Sequence, residues 1–161
     1  MRAADEILPR LWLGNIKASA DTDFLQQHHI NVVFNCTKDL PFAALPTRKY
    51  RLAVDDNLED VEIRNMELWA PEAVLLAIDE YNKGGRLLVH CFAGAQRSAA
   101  MVAMMLIVLK NIHADEAIAF IKARRGVAFF PGVNFRRAIH AFDGYYHNTV
   151  LPHILAEKKN A

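Results

Sequence analysis

Arg86-Leu87-Leu88-Val89-His90-Cys91-Phe92-Ala93-Gly94-Ala95-Gln96-Arg97-Ser98, followed by the apolar run Ala99 to Leu109, is the stretch that decides the architecture. Residues 86–90 read as a continuous apolar strand of the kind buried inside a parallel sheet. Residues 91–97 form a loop of small residues, and Ser98 to Lys110 reads as a helix buried on most sides. A strand, a tight loop and a helix N-terminus in succession leave backbone N–H groups free to converge on one point. Such groups, with the helix dipole behind them, favour a bound anion. Gly94, flanked by Ala93 and Ala95, lets the backbone curl closely around a ligand. Arg97 follows Cys91 by six residues, close enough to fold back over the loop mouth. Its planar guanidinium matches two phosphate oxygens at once.

The same field acts on Cys91. A thiol at a helix N-terminus, ringed by amide donors and near a guanidinium, has a depressed pKa and is a thiolate nucleophile at neutral pH. A lone cysteine between a strand and a helix is more often an inert buried thiol. Here His90, Cys91, Gly94, Arg97 and Ser98 stand in register on one strand–loop–helix, and that combination favours chemistry. His90 reads as a residue that orients the loop by hydrogen bonding, not as the base.

Outward from this stretch, the chain alternates strands with helices. Residues 7–14, with Pro9 near their start and Leu11 and Leu13 alternating, suit an edge strand. Ser19 to His29 reads as a short helix, Ile30 to Thr37 as a buried strand, and Tyr50 to Val54 as another. Glu67 to Asn82 reads as a helix whose apolar positions are Leu68, Ala73, Leu75, Leu76, Ile78 and Tyr81. Lys83-Gly84-Gly85 stops it. Ala114 to Arg125 and Val133 to Tyr145 suggest two further helices. The expected fold is a single α/β domain with a central, mostly parallel five-stranded sheet flanked by helices on both faces. It spans residues 1–148, with a C-terminal tail over 149–161.

Bulk properties set the limits. The 161 residues suit one domain, and 53% hydrophobic with 23% charged residues is an ordinary globular balance. A net charge of +1 gives no whole-chain attraction to nucleic acid or membrane. Cys36 and Cys91 are too few for a disulfide framework and have no zinc-ligand spacing. The N-terminus lacks the apolar core of a signal peptide, and the run from Ala99 to Leu109 is too short for a membrane span. A reducing intracellular compartment, cytoplasmic or nuclear, is expected.

His90-Cys91-Phe92-Ala93-Gly94-Ala95-Gln96-Arg97-Ser98 resembles the HCxxGxxR[ST] motif of the protein tyrosine phosphatases, and Ser98-Ala99-Ala100-Met101 is most similar to the dual-specificity branch. The resemblance extends to residues 7–14 and 31–37 as the opening strands. Leu52-Ala53-Val54-Asp55-Asp56-Asn57 resembles the acid loop, and Phe130-Pro131-Gly132-Val133-Asn134-Phe135 the segment that buttresses the active-site loop. It implies a protein tyrosine phosphatase-like fold and a two-step reaction with neither metal nor organic cofactor. Cys91 would form a phosphocysteine while Arg97 and the loop Phe92, Ala93, Gly94, Ala95 and Gln96 hold the phosphate. A carboxylic acid would serve the leaving group, Ser98 would ease departure of the thiolate, and Asn134 would support the loop. The match places the acid at Asp56, 35 residues before Cys91, a longer gap than is usual for this branch; Asp60, at 31 residues, and the adjacent Asp55 are the alternatives.

The implied substrates are phosphotyrosine and phosphoserine or phosphothreonine in proteins, because no segment resembles the phosphotyrosine-recognition loop of the longer tyrosine-specific enzymes. RNA 5′ phosphates, inositol lipids, and a phosphopeptide-binding pseudophosphatase are the alternatives. The first two are disfavoured by the absence of lysine between Cys91 and Arg97, the last by retention of Cys91, Arg97 and an acid. A rhodanese-like sulfur transferase would lack the Gly94 and Ser98 pattern. Weaker signals remain. Arg124 and Arg125 suit either an accessory phosphate contact or a solvated helix end, and Arg136 and Arg137 read the same way. Cys36 suits either a small buried thiol or a redox partner of Cys91. His28, His29, His113, His140, His147 and His153 form no ligand pattern in the sequence. A homodimer is compatible with these residues but not derivable from them.

Overall fold

Strand β5 (Leu87–His90) lies at the centre of the computed structural model, which describes residues 2–45 and 48–160. With β1 (Ala4–Leu8), β2 (Leu11–Gly14), β3 (Val32–Asn35) and β4 (Arg48–Arg51) it forms one five-stranded sheet in the order β1-β2-β5-β3-β4. Only β1 and β2 are antiparallel; the other three pairings are parallel.

Because strand side chains alternate, each strand feeds two cores. Leu11, Leu13, Val32, Phe34, Leu87 and Val89 enter the larger one. Against it pack α3 (Asp60–Asn82), α4 (Arg97–Leu109), α5 (Ala114–Arg124) and α6 (Arg136–Tyr145). Val33 and Leu88 face the other way, meeting Ala18 of α1 (Ile16–Ala20) and Leu25 of α2 (Thr22–Gln27), with Trp12 and Phe24 alongside. Helices therefore cover both faces, as expected. Helix α4 is buried along ten successive residues, Ser98 to Ile107, which explains its apolarity on every side. No helix among the described residues is long and apolar enough to cross a membrane.

The structure corrects the sequence reading at several places. Residues 7–14 are not one edge strand. They contribute the end of β1 and all of β2, joined at Pro9-Arg10, where Arg10 takes a positive φ of 71°. The edge strand is β1, so β2 is internal. The segment from Ser19 to His29 is divided by Asp21, which ends α1 and caps α2 through its side chain on the Phe24 amide at 3.1 Å. Strand β4 begins and ends earlier than expected. Helix α3 starts seven residues before Glu67 and carries Pro71 inside it. Its buried stripe is Met66, Ala70, Ala73, Val74, Ala77 and Ile78, whereas Leu68, Leu75 and Leu76 are exposed. Helix α6 continues through a π-helical segment (Tyr146–Val150) into α7 (Leu151–Lys159), which buries no side chain. The expected division at 148/149 falls inside the π segment.

Candidate active site

Cys91 leaves the C-terminal end of β5 at the centre of a parallel sheet, the end at which open α/β sheets place their ligands. The backbone from Cys91 to Gln96 then makes one turn before α4 begins. Its shape is set by where its carbonyls go. Cys91 O accepts from His90 Nδ1 at 3.2 Å, and Phe92 O from the Ile16 amide at 3.0 Å. Ala93 O and Gly94 O accept from Arg125 Nη2 and Nε at 3.2 and 2.8 Å. Ala95 O accepts from the Phe129 amide and Gln96 O from the Ala100 amide, both at 2.8 Å. Six consecutive carbonyls are thus tied to the surrounding structure, and the Gly94 and Ser98 amides turn to the Cys91 sulfur. That is an anion cradle made before any anion arrives.

Gly94 makes the turn feasible. Its φ is +66°, and a Cβ there would stand 2.5 Å from Gly14 O and 2.8 Å from Arg125 Nη2. Both the left-handed backbone and the close approach exclude a side chain.

The thiol of Cys91 is 2% exposed and its sulfur lies 3.1 Å from Ser98 Oγ. Burial acts to raise its pKa. The Ser98 hydroxyl and amide, the Arg97 charge and the Gly94 amide outweigh it, so the thiol titrates below its ordinary range. Cys36 is its opposite. Fully buried, with Sγ 3.7 Å from Met101 Sδ, its thiol is pushed up, first by burial and then by the charge on Cys91. The two cysteines of one chain are set to different protonation states by their surroundings.

His90 is buried and, chiefly because of that burial, its imidazole falls to about 4. The ring is neutral at physiological pH. Since a carbonyl oxygen only accepts, Nδ1 carries the proton that goes to Cys91 O. This is an orienting bond.

Arg97 Nη1 donates to Val54 O at 3.1 Å, which fixes the guanidinium plane. Its Nε is buried with no partner among the described residues. An orphaned buried donor is rare, and one on a fixed fork beside an amide ring is what a phosphate oxygen satisfies.

The segment after β4 reaches the same place. Asp56 Oδ1 accepts from Asn134 Nδ2 at 2.9 Å, and the Asn134 amide donates to Gln96 Oε1 at 3.0 Å. Gln96 Nε2 donates to Gly132 O at 2.7 Å. The Gln96 side chain therefore clamps residues 132–134 to the phosphate loop, a task its place in the motif does not announce. Asp55 pairs with Lys38 at 3.4 Å, and Lys38 also binds the buried Glu62. Asp60 is exposed in the first turn of α3, with no recorded bond to the loop or to Asn134. Geometry gathers Asp56, Asn134 and Gln96, and leaves Asp60 outside.

Arg125 requires a correction. It is 1% exposed, and besides Ala93 O and Gly94 O it donates from Nη1 to Arg2 O at 3.0 Å and Asp5 Oδ2 at 2.9 Å. It is a buried strut behind the cradle and cannot meet a substrate phosphate. Arg124 is exposed, stacked 3.4 Å from the Phe120 ring centroid. Arg136 and Arg137 pair with Asp115 and Glu67. Replacing Arg125 by leucine strands two loop carbonyls and leaves Asp5 with only the exposed Arg2 as its ion-pair partner. The expected cost is about 3–5 kcal/mol, read as a shifted denaturant midpoint, together with lower turnover from a loosened cradle.

Residues 11–144 match the family described as dual specificity phosphatase, catalytic domain. Dual specificity protein phosphatase 2 of Mus musculus is 40% identical over 76% of this chain and 37% of its own length. Dual specificity protein phosphatase 1 of Homo sapiens is 30% identical over 94% of this chain and 40% of its own length. The chain thus spans about two fifths of the length of these relatives. Among solved structures, DUSP15 superposes with a TM-score of 0.78 at 25% identity, covering 96% of this chain and 95% of its own. Human DUSP28 shares the fold, with a TM-score of 0.79 at 20% identity over 91% of this chain and 97% of its own. With a match that takes in β2, the phosphate loop and all but the last residue of α6, the chain belongs to the dual specificity phosphatase family.

Proposed function

We propose that the protein removes phosphate from phosphotyrosine and from phosphoserine or phosphothreonine in proteins through a phosphocysteine intermediate. The observation that carries the reading is a loop with its carbonyls tied to the surrounding structure and its Gly94 and Ser98 amides on a thiol held below its ordinary pKa. The Cys91 sulfur attacks phosphorus in line, forming the S–P bond as the ester P–O bond breaks. Arg97 and the loop amides hold the three equatorial oxygens, where charge is spread in the transition state. Asp56, protonated, gives its proton to the departing oxygen. The Asp56 carboxylate then takes a proton from water as that water attacks phosphorus. The S–P bond breaks, the electron pair returns to sulfur, and the Ser98 hydroxyl, 3.1 Å away, donates a hydrogen bond to the thiolate. Asn134 holds Asp56 over the site, and the exposed Arg124 is the basic group at the end of α5 available to an acidic substrate flank.

Phosphate release from matched phosphotyrosine, phosphothreonine, inositol-lipid and RNA 5′-phosphate substrates tests the substrate class; faster turnover of lipid or RNA than of either phosphopeptide overturns it. Asp56→Asn is expected to lower kcat by about 10²–10³-fold on phosphothreonine, whose alkoxide needs a proton. The loss should shrink on aryl esters with acidic leaving groups. Asp60→Asn should change kcat by less than about threefold, and the reverse ranking assigns the acid to Asp60.

A further inference from the structure

His113, Asp143 and His147 are separated in sequence by up to 34 residues, and no metal-ligand spacing links them. The fold brings them together away from the phosphate loop. His113 precedes the first residue of α5, Asp143 lies near the end of α6, and His147 is in the π-helical segment, four residues after Asp143. Donor atoms of all three lie within 4.8 Å of one another. His113 Nδ1 is 2.9 Å and His147 Nε2 3.6 Å from the same carboxylate oxygen, Asp143 Oδ1. The two imidazole rings are 4.3 Å apart at their centroids, inclined at 41°.

We propose that these residues form a site for a divalent transition-metal ion of the zinc class, which would clip the connection before α5 to the junction of α6 and the π segment. Two imidazoles and one carboxylate are a donor set for such an ion, not for magnesium or calcium, which prefer oxygen. Around a tetrahedral zinc, with bonds near 2.0–2.2 Å, neighbouring donors stand roughly 3.3–3.5 Å apart. The separations of 2.9 and 3.6 Å lie on either side of that spacing.

The second carboxylate oxygen, Asp143 Oδ2, accepts from the Ala114 amide at 2.8 Å. That bond orients the carboxylate as outer-shell partners orient metal ligands elsewhere. Side-chain exposures of 14% for Asp143 and 15% for His147 against 65% for His113 define a sheltered floor and an open side, from which an ion enters and a water completes the shell. Capping of α5 by Asp143, with an ion pair to His113, accounts for two of the residues. The bond of His147 Nε2 to Ile112 O seats the third, and it brings a second imidazole to the same carboxylate oxygen from a π-helical turn, an irregularity often found at functional positions.

Without an ion, His147 Nε2 donates to Ile112 O at 3.0 Å and His113 Nδ1 donates to Asp143. Metal binding moves each proton to the other ring nitrogen, so that both lone pairs turn to the ion and no redox step is involved.

Titration of the full chain carrying Cys91→Ser with Co²⁺, then Zn²⁺, decides the matter, since the reactive thiol is then removed as a competing ligand. One equivalent of Co²⁺ should bind with visible d–d absorption and no sulfur-to-cobalt charge-transfer band. Zn²⁺ should displace it and raise the melting temperature. His113→Ala, which leaves the Asp143–Ala114 cap intact, and His147→Ala should each weaken binding at least about tenfold. Affinity unchanged from the parent in both variants, coordination through sulfur, or no saturable binding overturns the proposal. Retained secondary structure and melting cooperativity in His113→Ala separate lost ligation from lost folding.

Discussion

Serine at position 91 is expected to lower kcat by about 10⁴-fold or more while leaving phosphopeptide binding intact or tighter. The substitution is nearly isosteric at a site 2% exposed, so the cradle should survive it. What it removes is the anion. The donors that lower the Cys91 thiol act on any group placed there, but an alcohol ionises so far above a thiol that they leave it protonated. A neutral hydroxyl then faces the phosphoryl group. The bonds of the six loop carbonyls do not depend on the sulfur. Substrate affinity therefore persists, and it rises to the extent that the thiolate had repelled the phosphate dianion. Titration follows from the same cause. Because the folded protein holds this thiol below its ordinary pKa, alkylation by iodoacetamide should set in at lower pH than with free cysteine, and it should modify Cys91 alone. Cys36, buried and pushed upward, should remain unmodified until the chain unfolds. A hydroxyl variant that still turns over, or a Cys91 that alkylates only in the range of free cysteine, removes the basis of the proposed mechanism.

How much of this was legible in the residues depended on whether the cause was local. The strand, loop and helix around Cys91 were readable because each is specified within its own stretch: apolar residues over 87–90, a glycine where the backbone needs positive φ, and an apolar run over 99–109. Strand β1 was not, because Asp5 and Glu6 interrupt the apolar pattern. Asp5 is in a strand and nearly buried because Arg125, 120 residues away, neutralises it. By the same logic Arg125 looked like one of a basic pair at a helix end. Its burial comes from β1 and the phosphate loop closing over it, which no local pattern encodes.

Helix α3 begins earlier than expected, and Glu59 makes no side-chain cap that would mark the start. Burial of Met66, Ala70, Ala73, Val74, Ala77 and Ile78 against α4 and α6 holds the helix regardless. Asp56 was placed by resemblance alone. Spacing favoured Asp60, and the fold gives Asp56 what spacing could not show, a bond to Asn134, whose amide in turn meets Gln96.

Lysine at position 97 should lower kcat/KM by about 10³-fold, although it keeps the positive charge. Arg97 spends Nη1 on Val54 O, at 3.1 Å, and that bond sets the plane in which the rest of the guanidinium lies. The buried Nε, without a partner among the described residues, then belongs to a rigid edge that with Nη2 would make the proposed two-toothed contact to phosphate oxygens. An ammonium cannot hold Val54 O and present two coplanar donors together. It binds the phosphate ground state as a point charge but loses the fit to the trigonal phosphoryl group of the transition state. Most of the loss should therefore fall on kcat, with a smaller rise in KM. Arginine also contributes charge to the Cys91 thiolate, and lysine retains part of that, so alkylation of Cys91 should keep nearly its original pH dependence in Arg97→Lys. In Arg97→Ala the same midpoint should move upward, and kcat/KM should fall further. Should Arg97→Lys retain turnover within about tenfold, the fork geometry contributes little, and the loop amides with a single positive charge are enough for catalysis.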